Sequence, residues 1–389
     1  MSADLPAPGG NRLKRIGFAG FHTGQGGIGH VMINLINGCA EFGLTVDLLI
    51  ANRNSPHLGK IDPRVNIVEI GEPFFRSCVP KVAGYLKSAC PDWVISNREK
   101  SHRYLVLARW FAGSNSQLAF RIGNSLAATL KKRNRLKRLL RHQSIRWSYA
   151  KADLVIVNSR GLSSDVQNYA GVASWRIRVL NNPTFHEDVL LEARAEVDHP
   201  WLADNSVPVI LGVGRLTRQK DFPTLIQAFA RVARERPARL IILGEGNDRD
   251  SLQGLVEQLG LFGRVDLPGY VTNPFAFMAR ANLFVLSSAW EGSPNVLIQA
   301  LSVGCPVVAT DCPEGPREIL RDGRLAPLVA VGDVPGMAAA IRQMLDNPPD
   351  RAALRRAAEP FEVKRAVLAY LDALRQAPGI PPGQGSAAA

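Results

Sequence analysis

Residues 283–301 read LFVLSSAWEGSPNVLIQAL, and this stretch decides the fold. Leu283–Leu286 is a short apolar run of the length of a buried strand. Ser293 is expected to cap a following helix, with Pro294 at its first position. The amides of Asn295 and Val296 would then leave the helix start beside the positive end of its dipole, where anions are favoured. Glu291 sits in the loop between strand and helix and offers a carboxylate to hydroxyl groups. Gln299 lies one helical turn beyond Asn295. By itself the segment reads equally well as a capped helix with a surface glutamate; its repetition in the chain separates the two readings.

The same strand–loop–helix order recurs on both sides. Val209–Val213 leads into Gly212–Phe222, GVGRLTRQKDF, where glycines allow close backbone approach and Arg215 and Lys220 supply a planar fork and a point charge for phosphate. Asp221 can cap the next helix, whose Leu225, Ile226, Phe229 and Val232 should face inward. Arg239–Leu243 leads into LGEGN, residues 243–247. Val307–Ala309 leads into DCPEGPREIL, residues 311–320, with Pro316 and Glu318 at a helix start. Four ligand-type loops after strands of one domain point to a shared site at the C-terminal edge of a parallel sheet.

The N-terminal half carries its own series. Ile16–Ala19, Val46–Ile50, Trp93–Ser96, Leu118–Arg121, Leu154–Asn158 and Arg178–Leu180 read as strands, with a helix from about Gly29 to Phe42. Short apolar strands alternating with helices imply parallel sheets covered on both faces. The expected organisation is α/β, with two Rossmann-like doubly wound domains, 1–190 and 191–360. A helix over 361–376 and a disordered Pro/Gly/Ala tail over 377–389 complete it.

The chain has 389 residues and a net charge of +13. Lys100 to Ala152 holds thirteen Lys or Arg and no Asp or Glu, so the rest of the chain is formally neutral. A basic region so confined asks for an anionic partner or a membrane surface. Residues 125–146 can form a helix with Leu126, Leu130, Leu139 and Leu140 among the cations. Such a helix reads as membrane-surface binding, as a solvated face, or as nucleic-acid binding. No recognised nucleic-acid module or aromatic platform accompanies it, which makes nucleic acid the weakest of the three. The polar N-terminus lacks a signal-peptide core, no apolar run spans a bilayer, and the five cysteines are scattered. A reducing cytoplasm fits this pattern, with the protein peripheral on the inner face of the cytoplasmic membrane.

GRLTRQKDFPTLIQAF, GEG, LPGYVTNP, LSSAWEGSPNVLIQALSVGCPVVATDCPEGPREIL and LVAVGD, in that order over residues 214–333, resemble glycosyltransferase family 4. GQGGIGHVMINL, RIGNSL, YAKADLVIVNS and FEVKRAVLAYLDAL extend the resemblance more thinly. It implies the GT-B fold, two Rossmann domains facing a cleft with the last helix crossing back to the first, and transfer from a nucleotide sugar with retention of configuration. It implies that Arg215 and Lys220 hold the donor diphosphate and Glu291 the sugar hydroxyls, with Gly292, Ser293, Pro294, Asn295 and Val296 at the phosphate. It places Tyr270 and Val271 at the base, and Gly214, Gly244, Glu245 and Gly246 along the nucleotide cleft. Gly26 and Gly27 would face the donor phosphates and acceptor. Gln299 stands where the family's Glu-x7-Glu pattern has a second glutamate for the ribose. Many relatives carry a histidine in the stretch matching Arg121–Ser125; here it reads RIGNS. Arg121, Asn124 and His102 are the acceptor-side candidates, with no acceptor base assigned.

The resemblance implies no metal and no resident cofactor, only a nucleotide-sugar co-substrate, UDP-linked as first expectation and GDP-mannose as second. The expected partner is a lipid-linked glycan of surface polysaccharide or lipopolysaccharide synthesis, met at an anionic membrane surface through residues 121–146. A nucleotide-sugar epimerase or hydrolase on a similar fold is the competing reading. GQGGIG with Asp47 further on superficially suggests a dinucleotide fingerprint, but the spacing is not GxGxxG and Asp47 lies inside a strand.

Overall fold

The computed structural model describes residues 13–20, 27–51, 53, 58–71, 75–127, 135–203 and 206–377. Gly26, Leu130 and residues 378–389 lie outside the described residues. The chain forms two compact units. One contains residues 1–183 and 366–389, the other 184–365. The division thus falls earlier than 190/191, and the chain rejoins the first unit inside its last helix.

In the first unit the strands are β1 (Arg15–Ala19), β2 (Thr45–Ile50), β3 (Asn66–Glu69), β4 (Trp93–Ser96), β5 (Gln117–Ile122), β6 (Leu154–Val157) and β7 (Ile177–Val179). They pair in parallel in the order β3-β2-β1-β4-β5-β6-β7. Between them run α1 (Gly27–Glu41), α2 (Phe75–Ala89), α3 (Glu99–Ala112), α4 (Arg135–Ala150) and α5 (Arg160–Ala170). The inner strands β4 and β6 are buried along their whole length because helices cover both faces, which is why Trp93–Ile95 and Leu154–Val157 read as apolar runs. β3 does not stand out in the sequence: NIVE is a half-exposed edge strand with only two apolar residues.

The second unit opens with two one-turn helices, α6 (Val189–Glu192) and α7 (Pro200–Ala203). Then follow β8 (Val209–Val213), α8 (Phe222–Glu235), β9 (Arg239–Leu243), α9 (Arg249–Gln258), β10 (Val265–Gly269), α10 (Pro274–Arg280), β11 (Leu283–Leu286), α11 (Asn295–Ser302), β12 (Val307–Thr310), α12 (Pro316–Ile319), β13 (Leu328–Val329), α13 (Val334–Asp346) and α14 (Arg351–Ala358). The parallel sheet runs β10-β9-β8-β11-β12-β13. α15 (Val363–Arg375) leaves this unit and belongs to the first from Ala366 onward. Leu225, Ile226, Phe229 and Val232 of α8 are fully buried, as their spacing requires. β13 was missed because two residues carry no periodicity.

In both sheets the strand order reverses direction between the first and fourth strands. Loops leaving β8 and β11 therefore lead to helices on opposite faces and meet at the C-terminal edge, where open sheets of this kind bind ligands. These are the loops that carry Arg215, Lys220 and Glu291.

Candidate donor site in the second unit

Lys220 and Glu291 meet at this switch point. Lys220 Nζ donates to Glu291 Oε1 over 2.6 Å, and Ser288 Oγ donates to the same oxygen over 2.6 Å. The Lys220 and Glu291 side chains are only 15% and 8% exposed, so the pair is largely desolvated. The two loops are stitched together around it. Ser287 Oγ donates to the Lys220 carbonyl, Gln219 Nε2 to the Trp290 carbonyl, and the Ala289 amide to the Gln219 carbonyl. Thr310 Oγ1, at the end of β12, donates to the Ser288 carbonyl and ties the loop to the next strand. Cys312 is buried close by; burial pushes its thiol up to about 11, with the Glu291 carboxylate adding to the rise. It is therefore a neutral packing group. Arg215, on the same loop as Lys220, is exposed, and no carboxylate among the described residues pairs with it.

Glycine sets the geometry of these loops. A Cβ on Gly214 would lie 2.8 Å from Lys220 Cε, so the bare backbone there is the surface over which the lysine stem reaches Glu291. Gly244 has φ +136°, and a Cβ would stand 1.9 Å from the Gly214 carbonyl oxygen. The loops after β8, β9 and β10 are laced by backbone bonds: Gly214 N to Leu243 O, Leu216 N to Glu245 O, and Gly244 N to Gly269 O. Gly246 is equally tight, with Leu216 O 2.1 Å from its ideal Cβ position. At the rim, Glu245 accepts from Arg249 at 3.1 Å, and Arg249 Nη2 also donates to the Leu267 carbonyl. Tyr270 stands exposed beyond β10, while the half-buried Val271 packs on the core.

The helix start differs from the sequence expectation. Pro294, not Ser293, is the residue before α11, with no side-chain cap, and the helix begins at Asn295. Pro294 is extended (φ −73°, ψ 91°), and its carbonyl accepts from the amides of Leu297 and Ile298. The cap therefore comes from backbone, and the first-turn amides 295 and 296 still lie at the positive end of the helix. Gly292 and Pro294 are buried against the 311–316 loop: a Cβ on Gly315 would touch Pro294 Cδ at 2.7 Å and Gly292 O at 2.9 Å. Gln299 is half-buried on α11. Asp221 also departs from expectation. It precedes α8 in a left-handed conformation (φ 47°), and its carboxylate accepts the Thr224 hydroxyl rather than a helix amide.

Two family models match the chain. "Glycosyl transferases group 1" matches residues 194–360, and "Glycosyltransferase Family 4" matches residues 25–187. The chain belongs to glycosyltransferase family 4. The N-acetylgalactosamine-N,N'-diacetylbacillosaminyl-diphospho-undecaprenol 4-alpha-N-acetylgalactosaminyltransferase of Campylobacter jejuni is 34% identical over 57% of this chain and 61% of its own length. The lipopolysaccharide core biosynthesis glycosyltransferase LpsE of Rhizobium meliloti is 36% identical over 51% of this chain and 56% of its own. The chain thus spans little more than half the length of these curated relatives. In fold it is similar to a crystal structure of Anabaena Alr3699/HepE in complex with UDP, with a TM-score of 0.75, 21% identity, and coverage of 93% of this chain and 99% of that one. The two doubly wound units are those of the GT-B glycosyltransferases.

In the first unit, Arg121 is buried rather than lining a pocket. Its Nε donates to Tyr370 Oη at 3.0 Å and its Nη2 to Asn182 Oδ1 at 2.6 Å, fastening α15 to β5. His102 is also a core residue. It stacks on Phe120 with ring centroids 4.1 Å apart, its Nε2 lies 3.2 Å from the Ser96 carbonyl, and burial pushes its pKa down to about 3. A buried neutral ring with that partner has no route to an acceptor, so both acceptor-side assignments give way to structural ones. Asn124 alone of the three is exposed, in the loop beyond β5. Gly27 begins α1. Asp47 accepts from Arg15, Asn66 and Tyr85 Oη within the sheet, so it has no role as a ribose-binding carboxylate.

Sequence reading missed Ser287, Ser288, Gln219, Thr310 and Arg249. The paired serines directly after β11 were the one available signal: polar groups following a buried strand need partners, and here those partners are the Lys220 backbone carbonyl and the Glu291 carboxylate.

Proposed function

We propose that the protein transfers a hexose or N-acetylhexosamine from a nucleotide sugar, a UDP sugar first, to a lipid-linked glycan of surface polysaccharide or lipopolysaccharide synthesis, with retention of configuration. The carrying observation is the desolvated Lys220–Glu291 pair at the switch point of the second sheet, on loops that also carry the exposed Arg215 and lead into α11. A diphosphate seated there meets two cations and helix-start amides, which stabilise the charge that develops as it departs. Glu291 then turns its carboxylate to sugar hydroxyls. The anomeric carbon–oxygen bond to the diphosphate breaks, the acceptor oxygen bonds that carbon from the same face, and the acceptor proton passes to a leaving phosphate oxygen. No protein base is required. Charge stabilisation by side chains and amides also lets the transfer run without a metal ion, and full activity after chelation is the expected result.

The relatives named for undecaprenol-linked and lipopolysaccharide substrates support the acceptor class. Such an acceptor is met at a membrane, and the reading includes peripheral association with an anionic inner membrane face; no helix among the described residues is long and apolar enough to cross a membrane. A thermal-shift screen of nucleoside diphosphates and sugar nucleotides tests the core of this reading, with Lys220→Ala and Glu291→Ala as controls. Stabilisation by a nucleoside diphosphate in the wild type only is expected. No stabilisation by any of them ends the proposal. Product anomers read by NMR test retention, and release of free sugar or epimer without acceptor would favour the hydrolase or epimerase reading.

A further inference from the structure

α4 is apolar on two opposite sides. Ile145, Ser148 and Tyr149 are buried in the core of the first unit, while Leu139, Leu140 and Trp147 are 55%, 63% and 43% exposed. Leu140 and Trp147, seven residues apart, stand on one line of the helix, roughly opposite Tyr149. The aromatic surface continues past the end of α4. Arg109 at the end of α3 donates to the Lys151 carbonyl and pairs with Asp153, which brings the exposed Trp110–Phe111 pair to this end. Arg176 donates to the carbonyls of Ala150 and Ala152 from the other side and carries the exposed Trp175 with it. Three of the chain's six tryptophans are thus exposed around one helix.

Cations flank this apolar strip. Lys137, Arg146 and Lys151 are exposed, within a stretch that has no acidic residue between Lys100 and Ala152. Two carboxylates bordering this stretch are ion-paired with its own arginines: Glu99 with Arg141 and Asp153 with Arg109. Tryptophan and leucine beside lysine and arginine, with acids withheld, is the chemistry of a headgroup boundary. The rings and aliphatic stems enter the acyl edge and the cations meet anionic lipid phosphates. Nucleic acid would engage the cations but leaves Leu139 and Leu140 without a partner.

We infer that this face of α4, with the Trp110–Phe111 and Trp175 flanks, docks the first unit onto an anionic lipid bilayer. The inference deepens the lipid-linked acceptor reading by naming the surface that brings the enzyme to its substrate. The test is cosedimentation of the full chain, at about 0.15 M salt, with phosphatidylcholine vesicles, with vesicles containing phosphatidylglycerol, and with a random DNA duplex. Nucleoside-diphosphate stabilisation is read in parallel as the control for fold and donor site. Binding to anionic vesicles is expected, weakening as salt rises, with a blue shift of indole emission. Trp147→Glu combined with Leu140→Glu should weaken it about tenfold or more, and Lys137→Gln combined with Arg146→Gln by a similar factor, since each cation near the surface contributes about 1 kcal/mol. Donor stabilisation should be unchanged in both. Equal binding to neutral vesicles, unaltered binding by the Trp147/Leu140 variant, or tighter binding to the duplex than to the vesicles would each overturn the inference. None of these outcomes touches the donor reading, which fails only in the parallel measurement.

Discussion

Lys220 and Glu291, 71 residues apart, share a 2.6 Å hydrogen bond whose acceptor oxygen also takes the Ser288 hydroxyl. Because the carboxylate is almost fully buried, the lysine supplies its principal compensation. Removing one partner of such a pair leaves an uncompensated charge, at a cost of about 3–5 kcal/mol, whereas replacing both can be nearly neutral. Lys220→Ala is therefore expected to lower stability by that order, and Lys220→Met with Glu291→Gln by much less, while both abolish transfer. Denaturant unfolding beside a transfer assay checks this. A single variant as stable as the double would show that the pair contributes no such coupling.

Gly214 and Gly244 should separate function from folding. Gly214→Ala places a methyl 2.8 Å from the flexible Lys220 stem, which can shift, so the fold is retained while Lys220 moves off Glu291 and transfer drops by about a hundredfold, the scale of a misplaced catalytic group. Gly244→Ala meets the backbone carbonyl of Gly214 at 1.9 Å with φ +136°, so the expected result is loss of folded protein. Circular dichroism of the two variants distinguishes them.

Gln299→Glu puts a carboxylate on α11 at the position that the resemblance assigns to the ribose. A charged acceptor makes hydrogen bonds to hydroxyls about 1 kcal/mol stronger than an amide does, so nucleoside-diphosphate affinity should rise about fivefold by calorimetry. A fall in affinity would remove position 299 from the ribose site.

His102 gives a pH dependence of stability. Its folded pKa is lowered to about 3, against an ordinary value of 6.5 in the unfolded chain. Between those values the unfolded state binds a proton that the folded state refuses. Its contribution is therefore fully present above the unfolded value and falls with pH below about 6.5, by about 1.4 kcal/mol per unit. His102→Phe keeps a ring against Phe120 and should flatten that part of the profile, at a cost of about 1 kcal/mol for the bond to the Ser96 carbonyl. Urea midpoints from pH 4 to 8 for both proteins decide it; parallel profiles would contradict the buried neutral ring.

The expected apolar side of a helix over 125–146 illustrates where pattern reading stops. Leu126 is buried ahead of α4, with its amide held by Asp165, while Leu139 and Leu140 face solvent. The sequence shows which residues in such a helix are apolar. It does not show which of two apolar sides the rest of the domain covers.

By itself the sequence determined the alternation of strand, loop and helix, the two sheets, and the loops that carry Arg215, Lys220 and Glu291. Those features depend on short-range causes: apolar runs of strand length, glycine and proline at fixed offsets, and helix periodicity. Only the tertiary structure decided which side chains meet. Lys220 reaches Glu291 because β8 and β11 are sheet neighbours at the point where strand order reverses, with the bare backbone of Gly214 beneath the lysine stem. Arg121 reaches Tyr370, 249 residues away, because the last helix returns to the first unit, and that contact turns a pocket candidate into a structural fastening. Local chain geometry fixes the type of an element. The partner of a side chain depends on strand order and crossover, which are properties of the whole sheet.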